Sequence, residues 1–244
     1  MSKAKVMITF DDGIAAHNLA AQRLTDLGLC GVFGVVVSKI DDPGFCTNYQ
    51  LEQMKANGHM IANHSWEHGK LGGGEVGSHL KSLTSNEIFD DFKAAKEELL
   101  NRGFDGDYFM APFGTMNLDD ESFKKINDAA KWVRLTVGCN INGEWCPGGN
   151  KRIFEGDYND SCIGITAAAD CRFPDEVKQK IDETCKVGGS CVLCYNDVCH
   201  VVGKEQSITW ELFVEDMEYI AKKVRDGEID CVLPNEIIKE KKDG

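Results

Sequence analysis

The sequence predicts an α/β fold, with βα units wound around a parallel sheet in one domain over residues 1–244. Two observations carry this. Short β-branched runs alternate along the chain with amphipathic segments, and no internal repeat, low-complexity tract or Pro/Gly/Ser linker divides it. The length of 244 residues also suits one large core, since α/β barrels of about 200–250 residues commonly form a single domain.

Seven strands are expected: Lys5 to Phe10, Cys30 to Val37, His59 to Asn63, Tyr108 to Ala111, Trp132 to Val137, Ser190 to Tyr195 and Asp230 to Leu233. Helices lie between them. Thr84 and Glu87 make a capping box, Ile88, Phe92, Ala95 and Leu99 follow at helical spacing, and Gly103 is a stop signal. Pro174 opens a second helix, whose Val177, Ile181 and Cys185 share a face before Gly188. A third puts Trp210, Phe213, Val214, Met217, Ala221 and Val224 on one stripe and ends at Gly227; these positions read as core, not as cofactor contacts. Between Gly138 and Arg172 periodicity fails, and the stretch reads as a long irregular insertion near the active-site mouth.

Composition narrows the partners. A formal charge of -13, from 27 basic and 40 acidic residues, repels phosphate backbones and anionic lipid surfaces, so a neutral or cationic substrate is expected and nucleic acid is not. The longest mostly apolar stretch, Cys30 to Val37, is far short of the roughly 20 residues that span a bilayer, so no membrane partner is expected. Met1 to Lys5 runs straight into a strand without the apolar region of a signal peptide, which makes a cytoplasmic location the expectation. Eleven cysteines is an odd number in a chain too large to need disulfides, and reduced thiols are expected. Cys191 and Cys194 have CxxC spacing but fall in a strand, where residues three apart point to opposite faces. They read as buried, apolar cysteines. Cys199-His200 is a weaker candidate for a second metal site.

In a parallel barrel, functional side chains gather at the C-terminal ends of the strands. Asp11 and Asp12 follow strand one, His64 and His68 follow strand three, and Pro112 to Gly114 follow strand four. In Thr9-Phe10-Asp11-Asp12-Gly13 the two neighbouring carboxylates diverge, so one can bind a cation while the other faces substrate, and Gly13 permits a tight turn. An isolated Asp-Asp-Gly is more often a solvated acidic turn. His64 and His68, four residues apart, lie on one face if the segment is helical or tightly turned. Alone they could equally be surface histidines. Together at two strand ends, two imidazoles and a carboxylate form a common open zinc set.

These residues resemble the polysaccharide deacetylases with the NodB homology domain, carbohydrate esterase family four. Thr9 to Gly13 matches the family's first motif letter for letter, and Gly58 to His68 is similar to its second. The resemblance covers nearly the whole chain and implies a distorted seven-stranded (β/α) barrel, in agreement with the strand count. It implies Asp11 as catalytic base and Asp12, His64 and His68 as ligands of one divalent ion, zinc before cobalt, nickel or manganese. Phe109 to Gly114 is similar to the third motif and implies substrate contacts at Pro112, Phe113 and Gly114, with an oxyanion contact from a backbone N–H near Phe113.

Two departures matter. Met110 stands where many members have an arginine that orients the catalytic aspartate, while Trp132 to Thr136 resembles a branch with an arginine inside the next strand. Arg134 then either pairs with Asp11 or makes an ordinary structural ion pair. Asn196 stands where the fifth motif offers a histidine, and an amide cannot donate a proton as imidazolium does. Asn196 is kept as a substrate contact, and His200 becomes the candidate donor, unless it is a surface histidine. It lies four residues on, up to about 13 Å away in an extended chain but close if the loop turns back. The activity implied is hydrolysis of the acetamide of an N-acetylated sugar or oligosaccharide, a carbon–nitrogen bond other than a peptide bond. The alternatives are hydrolysis of a small cyclic amide or ureide, and a degenerate sugar-binding module without turnover.

Overall fold

Apolar runs alternating with amphipathic segments produce strands alternating with helices. The structure, a computed structural model, describes residues 3–68, 84–112, 120–135, 139–141, 144–146, 162–164, 175–199 and 207–237. Its first half contains β1 (Ala4–Phe10), α1 (Ala16–Asp26), β2 (Val32–Val35), α2 (Asn48–Ala56), β3 (Met60–Asn63), α3 (Ser85–Asn101) and β4 (Asp105–Met110). Then come α4 (Asp120–Ala129), β5 (Trp132–Leu135), β6 (Cys139–Ile141), β7 (Glu144–Cys146), β8 (Cys162–Gly164) and α5 (Glu176–Val187). The chain continues through β9 (Ser190–Tyr195), β10 (Asp197–Cys199), β11 (Ser207–Thr209), α6 (Trp210–Arg225), β12 (Ile229–Cys231) and the single turn α7 (Pro234–Ile237).

The main sheet is parallel throughout, in the order β12-β1-β2-β3-β4-β5-β8, with β9 also on β1. β1 is its pivot. β9 runs along one edge, from Lys5↔Ser190 to Phe10↔Tyr195. The other edge is shared, with β12 pairing at Ala4 to Val6 and β2 at Thr9 and Phe10. Two strands thus meet end to end on one neighbour, which is the distortion of this curled barrel-type sheet. All seven expected strands are present.

The strand period of two separates two apolar layers. Val6, Ile8 and Phe10 pack with Phe33, Ile61 and Leu193 under the helices, whereas Met7 packs inside the curl with Val32, Ala62, Met110, Trp132 and Val192. The same alternation sends Cys191 to the outer layer and turns Cys194 inward, as the spacing predicted. Both are buried free thiols whose pKa is pushed up to about 12, by burial first. The predicted helix stripes pack as expected: Ile88, Phe92, Ala95 and Leu99 are buried, as are Val177, Ile181, Phe213, Met217 and Ala221. The Thr84–Glu87 capping box is formed. No described helix is long and apolar enough to cross a membrane.

One expectation needs correction. The stretch from Gly138 to Arg172 is not wholly irregular: β6 and β7 form an antiparallel hairpin, and β8 extends the sheet through Val133↔Cys162 to Leu135↔Gly164. Besides the seven expected strands, the main sheet thus includes β8, next to β5 at its edge. A three-residue strand contains too few positions for a period to register. Helices α1, α2 and α4 add to the three predicted helices, and α1 and α2 carry weaker sequence signals. Helix α1 buries small Ala20 and Ala21 and exposes Leu19, which blurs its stripe. In α2 a Thr47–Gln50 capping box was available as a signal, but only Leu51 and Met54 anchor the helix.

Candidate metal centre and active site

Three strand ends converge at the top of the curl. At the end of β1, Asp12 (φ 81°) and Gly13 (φ 70°) both adopt left-handed backbone and turn the chain sharply away. A Cβ on Gly13 would lie 2.9 Å from Val35 Cγ1 and 3.1 Å from Val35 Cα, so this turn requires glycine. At the end of β3 the two histidines are brought together by a turn, not a helix. Ser65 there has φ 72°, and its N–H donates to Asn63 Oδ1 at 2.7 Å. Asp91 on α3 accepts from the N–H groups of Trp66 (2.8 Å) and Glu67 (3.1 Å), clamping the segment that carries His68. Sequence reasoning missed Asn63 and Asp91, because their partners are turn N–H groups that leave no residue pattern.

The three predicted ligands meet. His64 Nε2 and His68 Nε2 lie 3.4 and 3.2 Å from Asp12 Oδ1, and one donor atom from each residue falls within 4.8 Å of the others. His64 Nδ1 is 2.6 Å from the Met110 carbonyl oxygen. A carbonyl only accepts, so Nδ1 holds the proton and Nε2 presents its lone pair to the cluster. That Nε2 is buried without a hydrogen bond among the described residues, as a nitrogen reserved for a cation would be. The donor set and the unsatisfied nitrogen fit a divalent ion.

Charges around the cluster act on one another. Burial opposes ionisation of Asp12, but its contact with His64, the charges of His64 and His68 and the Asn196 amide hold it well below the usual carboxylate range. Burial also opposes a charge on His64, yet the Asp11 and Asp12 carboxylates raise its pKa. His68 is pushed down to about 4, by burial first and then by His64.

Beside the cluster, Arg134 Nη2 donates to Asp11 Oδ2 at 2.5 Å, with the arginine wholly buried and Asp11 nearly so. Arg134 Nη1 also reaches Thr9 Oγ1 (2.8 Å) and Cys194 Sγ (3.2 Å). Strand parity explains the meeting, since Thr9 and Asp11 follow Met7 inward, Arg134 follows Trp132 and Cys194 follows Val192. Of the two possibilities for Arg134, pairing with Asp11 is the one observed. Asp11 Oδ1 stays buried without a hydrogen bond among the described residues. Met110, where an arginine was the alternative, is buried under His64 and fills space left open by Gly34.

The Asn196 amide reaches the site, but it donates to Asp12 Oδ2 at 3.4 Å. Pro112 is buried just past β4, while Phe113, Gly114 and His200 lie outside the described residues. Sequence reasoning also missed His17, a buried histidine in the first turn of α1 whose Nε2 contacts the Asn196 carbonyl oxygen at 2.5 Å. No motif marks it.

Comparison with solved structures finds the same fold at low identity. The Xyl-CE4 domain of a multidomain xylanase from the hindgut metagenome of Trinervitermes trinervoides aligns with TM-score 0.58 and 12% identity, over 97% of this chain and 90% of that one. A family 4 carbohydrate esterase from Streptomyces lividans in complex with acetate aligns with TM-score 0.53 and 11% identity, over 96% and 94%. A mutant CE4 family pseudoenzyme with restored enzymatic activity aligns with TM-score 0.60 and 14% identity, over 96% and 67%. Comparison with curated proteins gives no match. The polysaccharide deacetylase family itself matches residues 1–130, more than half of the sequence and the part that carries Asp11, Asp12, His64 and His68. With both motifs folded into one convergent site, the chain belongs to the polysaccharide deacetylase family.

Proposed function

We propose that this protein is a metal-dependent deacetylase that hydrolyses the acetamide of an N-acetylated sugar or oligosaccharide, with Asp12, His64 and His68 holding one divalent ion. The observation that carries the proposal is the convergence of these three donors around a buried, unsatisfied imidazole nitrogen beside the Arg134–Asp11 pair. Two imidazoles and one carboxylate leave open positions and suit zinc, with cobalt, nickel and manganese as alternatives. When bound, such an ion supplies Lewis acidity for carbonyl polarisation and water activation.

The protein's own groups do the rest. Arg134 occupies Asp11 Oδ2, which leaves Oδ1 to take the proton of the attacking water. A base positioned in this way contributes about 10² to 10⁴ in rate. From the family pattern, Pro112, Phe113 and Gly114 contact substrate; because Asn196 stands at the family's histidine position, His200, four residues on, is the proposed substitute donor to the leaving amine. The charge of -13 favours a neutral glycan over a polyanion.

The test is acetate release by metal-stripped protein resupplied with zinc, cobalt, nickel or manganese, on chito-oligosaccharides, acetylated xylan and N-acetylated monosaccharides. Release from an N-acetylated sugar with at least one metal is expected. Elemental analysis should show Asp12→Ala, His64→Ala and His68→Ala each losing the ion. Absence of release from every substrate would overturn the activity, and wild-type metal content in all three variants would overturn the ligand set.

A further inference from the structure

The proposed reaction gives no task to His17, a wholly buried polar side chain near the site. His17 stands at the start of α1, its ring 5.3 Å from that of Phe10 and 6.1 Å from that of Phe33. Its Nε2 faces the Asn196 carbonyl oxygen at 2.5 Å, so the proton sits on Nε2. Nδ1 is buried with no hydrogen bond among the described residues. Burial lowers the pKa of His17, which agrees with a neutral ring that offers a single donor. Leaving such an acceptor unsatisfied is costly, and an apolar ring of similar shape would avoid that cost. What histidine adds at this position is one N–H aimed at Asn196.

Asn196 in turn holds a carboxylate that cannot hold itself. It is the first residue past β9, whose last residue, Tyr195, accepts the Asp11 N–H at 2.9 Å. Its Nδ2 donates to Asp12 Oδ2, while Asp12 Oδ1 faces the two histidines. Asp12 has left-handed backbone, a strained state for a residue with a Cβ that persists only where neighbours enforce it.

We infer that His17 is a positioning residue of the metal centre: by fixing the Asn196 backbone it aims the amide that engages Asp12 Oδ2 and so turns Oδ1 toward the cation. The inference rests on the proposed metal centre and assigns that centre a support outside its ligands.

The experiment measures zinc affinity of the full chain by competition with a chromophoric chelator, together with thermal melting of the metal-free protein. His17→Phe removes the donor and keeps a ring among aromatic neighbours. His17→Phe and Asn196→Ala should each weaken zinc binding about 10–100-fold, the range for lost support of a metal ligand. Metal-free His17→Phe should melt close to wild type, because removing the unsatisfied Nδ1 offsets the bond lost to the Asn196 carbonyl oxygen, and His17→Gln, which keeps an N–H, should recover part of the affinity. The double variant should bind within about threefold of the weaker single, because both changes cut one route.

Wild-type affinity in His17→Phe, or losses that multiply in the double variant, overturns the inference. If His17→Phe does not fold, Asn196→Ala decides, and wild-type affinity there overturns it equally. Asp12→Ala, measured alongside, separates the two levels. Full zinc binding in that variant refutes the metal centre itself, whereas its loss beside a normal His17→Phe refutes only the role of His17.

Discussion

Replacing Arg134 by Met tests the buried pair that holds Asp11, the proposed catalytic base. At 2.5 Å between Nη2 and Oδ2, and an effective dielectric of about 20, the gross attraction is about 7 kcal/mol. Desolvation of two ions in a site where Arg134 is wholly buried offsets much of it. The measurable quantity is the cost of stranding Asp11, about 3–5 kcal/mol for a buried partner left alone. The bonds to Thr9 and Cys194 are lost as well. For a chain of this length, 1 kcal/mol shifts Tm by about 2–4 °C, so Arg134→Met should melt about 6–20 °C lower. Asp11→Asn should also destabilise, since the guanidinium cannot shed its charge.

The double variant Asp11→Asn/Arg134→Met is the informative arm. Removing both charges should recover at least about 2 kcal/mol relative to the sum of the singles. Urea denaturation of the four proteins gives the cycle, and acetate release per folded molecule gives the functional consequence. Asp11→Asn should keep its metal and lose most turnover, whereas Arg134→Met should keep its metal and lose turnover in part. Additive stabilities in the cycle, or normal turnover per folded Arg134→Met, would refute the assignment of Arg134 as the group that orients Asp11.

Two further outcomes follow from particular residues. Asp216 on α6 is buried, its Oδ1 lacks a hydrogen bond among the described residues, and burial raises its pKa from 3.8 to about 7. Between these values the native state binds more protons than the unfolded chain, so stability falls as pH rises from about 4 to 7; at about 1.4 kcal/mol per pH unit the loss is about 4 kcal/mol. Asp216→Asn should therefore gain up to that amount at pH 8 and almost nothing at pH 4, and equal gains at both would show that the carboxyl is not titrating. Gly13→Ala, with its Cβ forced against Val35, should cost about 2–4 kcal/mol and weaken zinc binding. Gly28→Ala, at φ 71° but with nothing within 4 Å, is the control for backbone strain alone, and equal losses in the two would remove the packing argument.

Several features were legible because they are local. The strand period of two and the helix period of 3.6 repeat within a few residues, so all seven expected strands and the stripes of α3, α5 and α6 could be read directly. Thr9 to Gly13 and His64 to His68 are contiguous, and their chemistry is carried by spacing within one turn. The separation of Cys191 from Cys194 followed from strand parity alone. Short or weakly striped elements escaped, namely β8 with three residues and α1 with alanines on its buried face.

Which residues meet across the chain was decided only by the tertiary structure. Arg134 and Asp11 are 123 positions apart, and nothing local distinguishes their pairing from an ordinary ion pair. The order of strands around β1, with parity turning Thr9, Arg134 and Cys194 inward, makes the choice. The same holds for Asp91 on the turn of His68, and for His17 on Asn196 across 179 positions. The amino-acid order determines each strand and each strand-end motif, because backbone sterics and side-chain period act over a few residues. The environment of each candidate ligand is set by long-range packing of the sheet and its helices, because burial and hydrogen-bond partners exist only once distant segments are brought into contact.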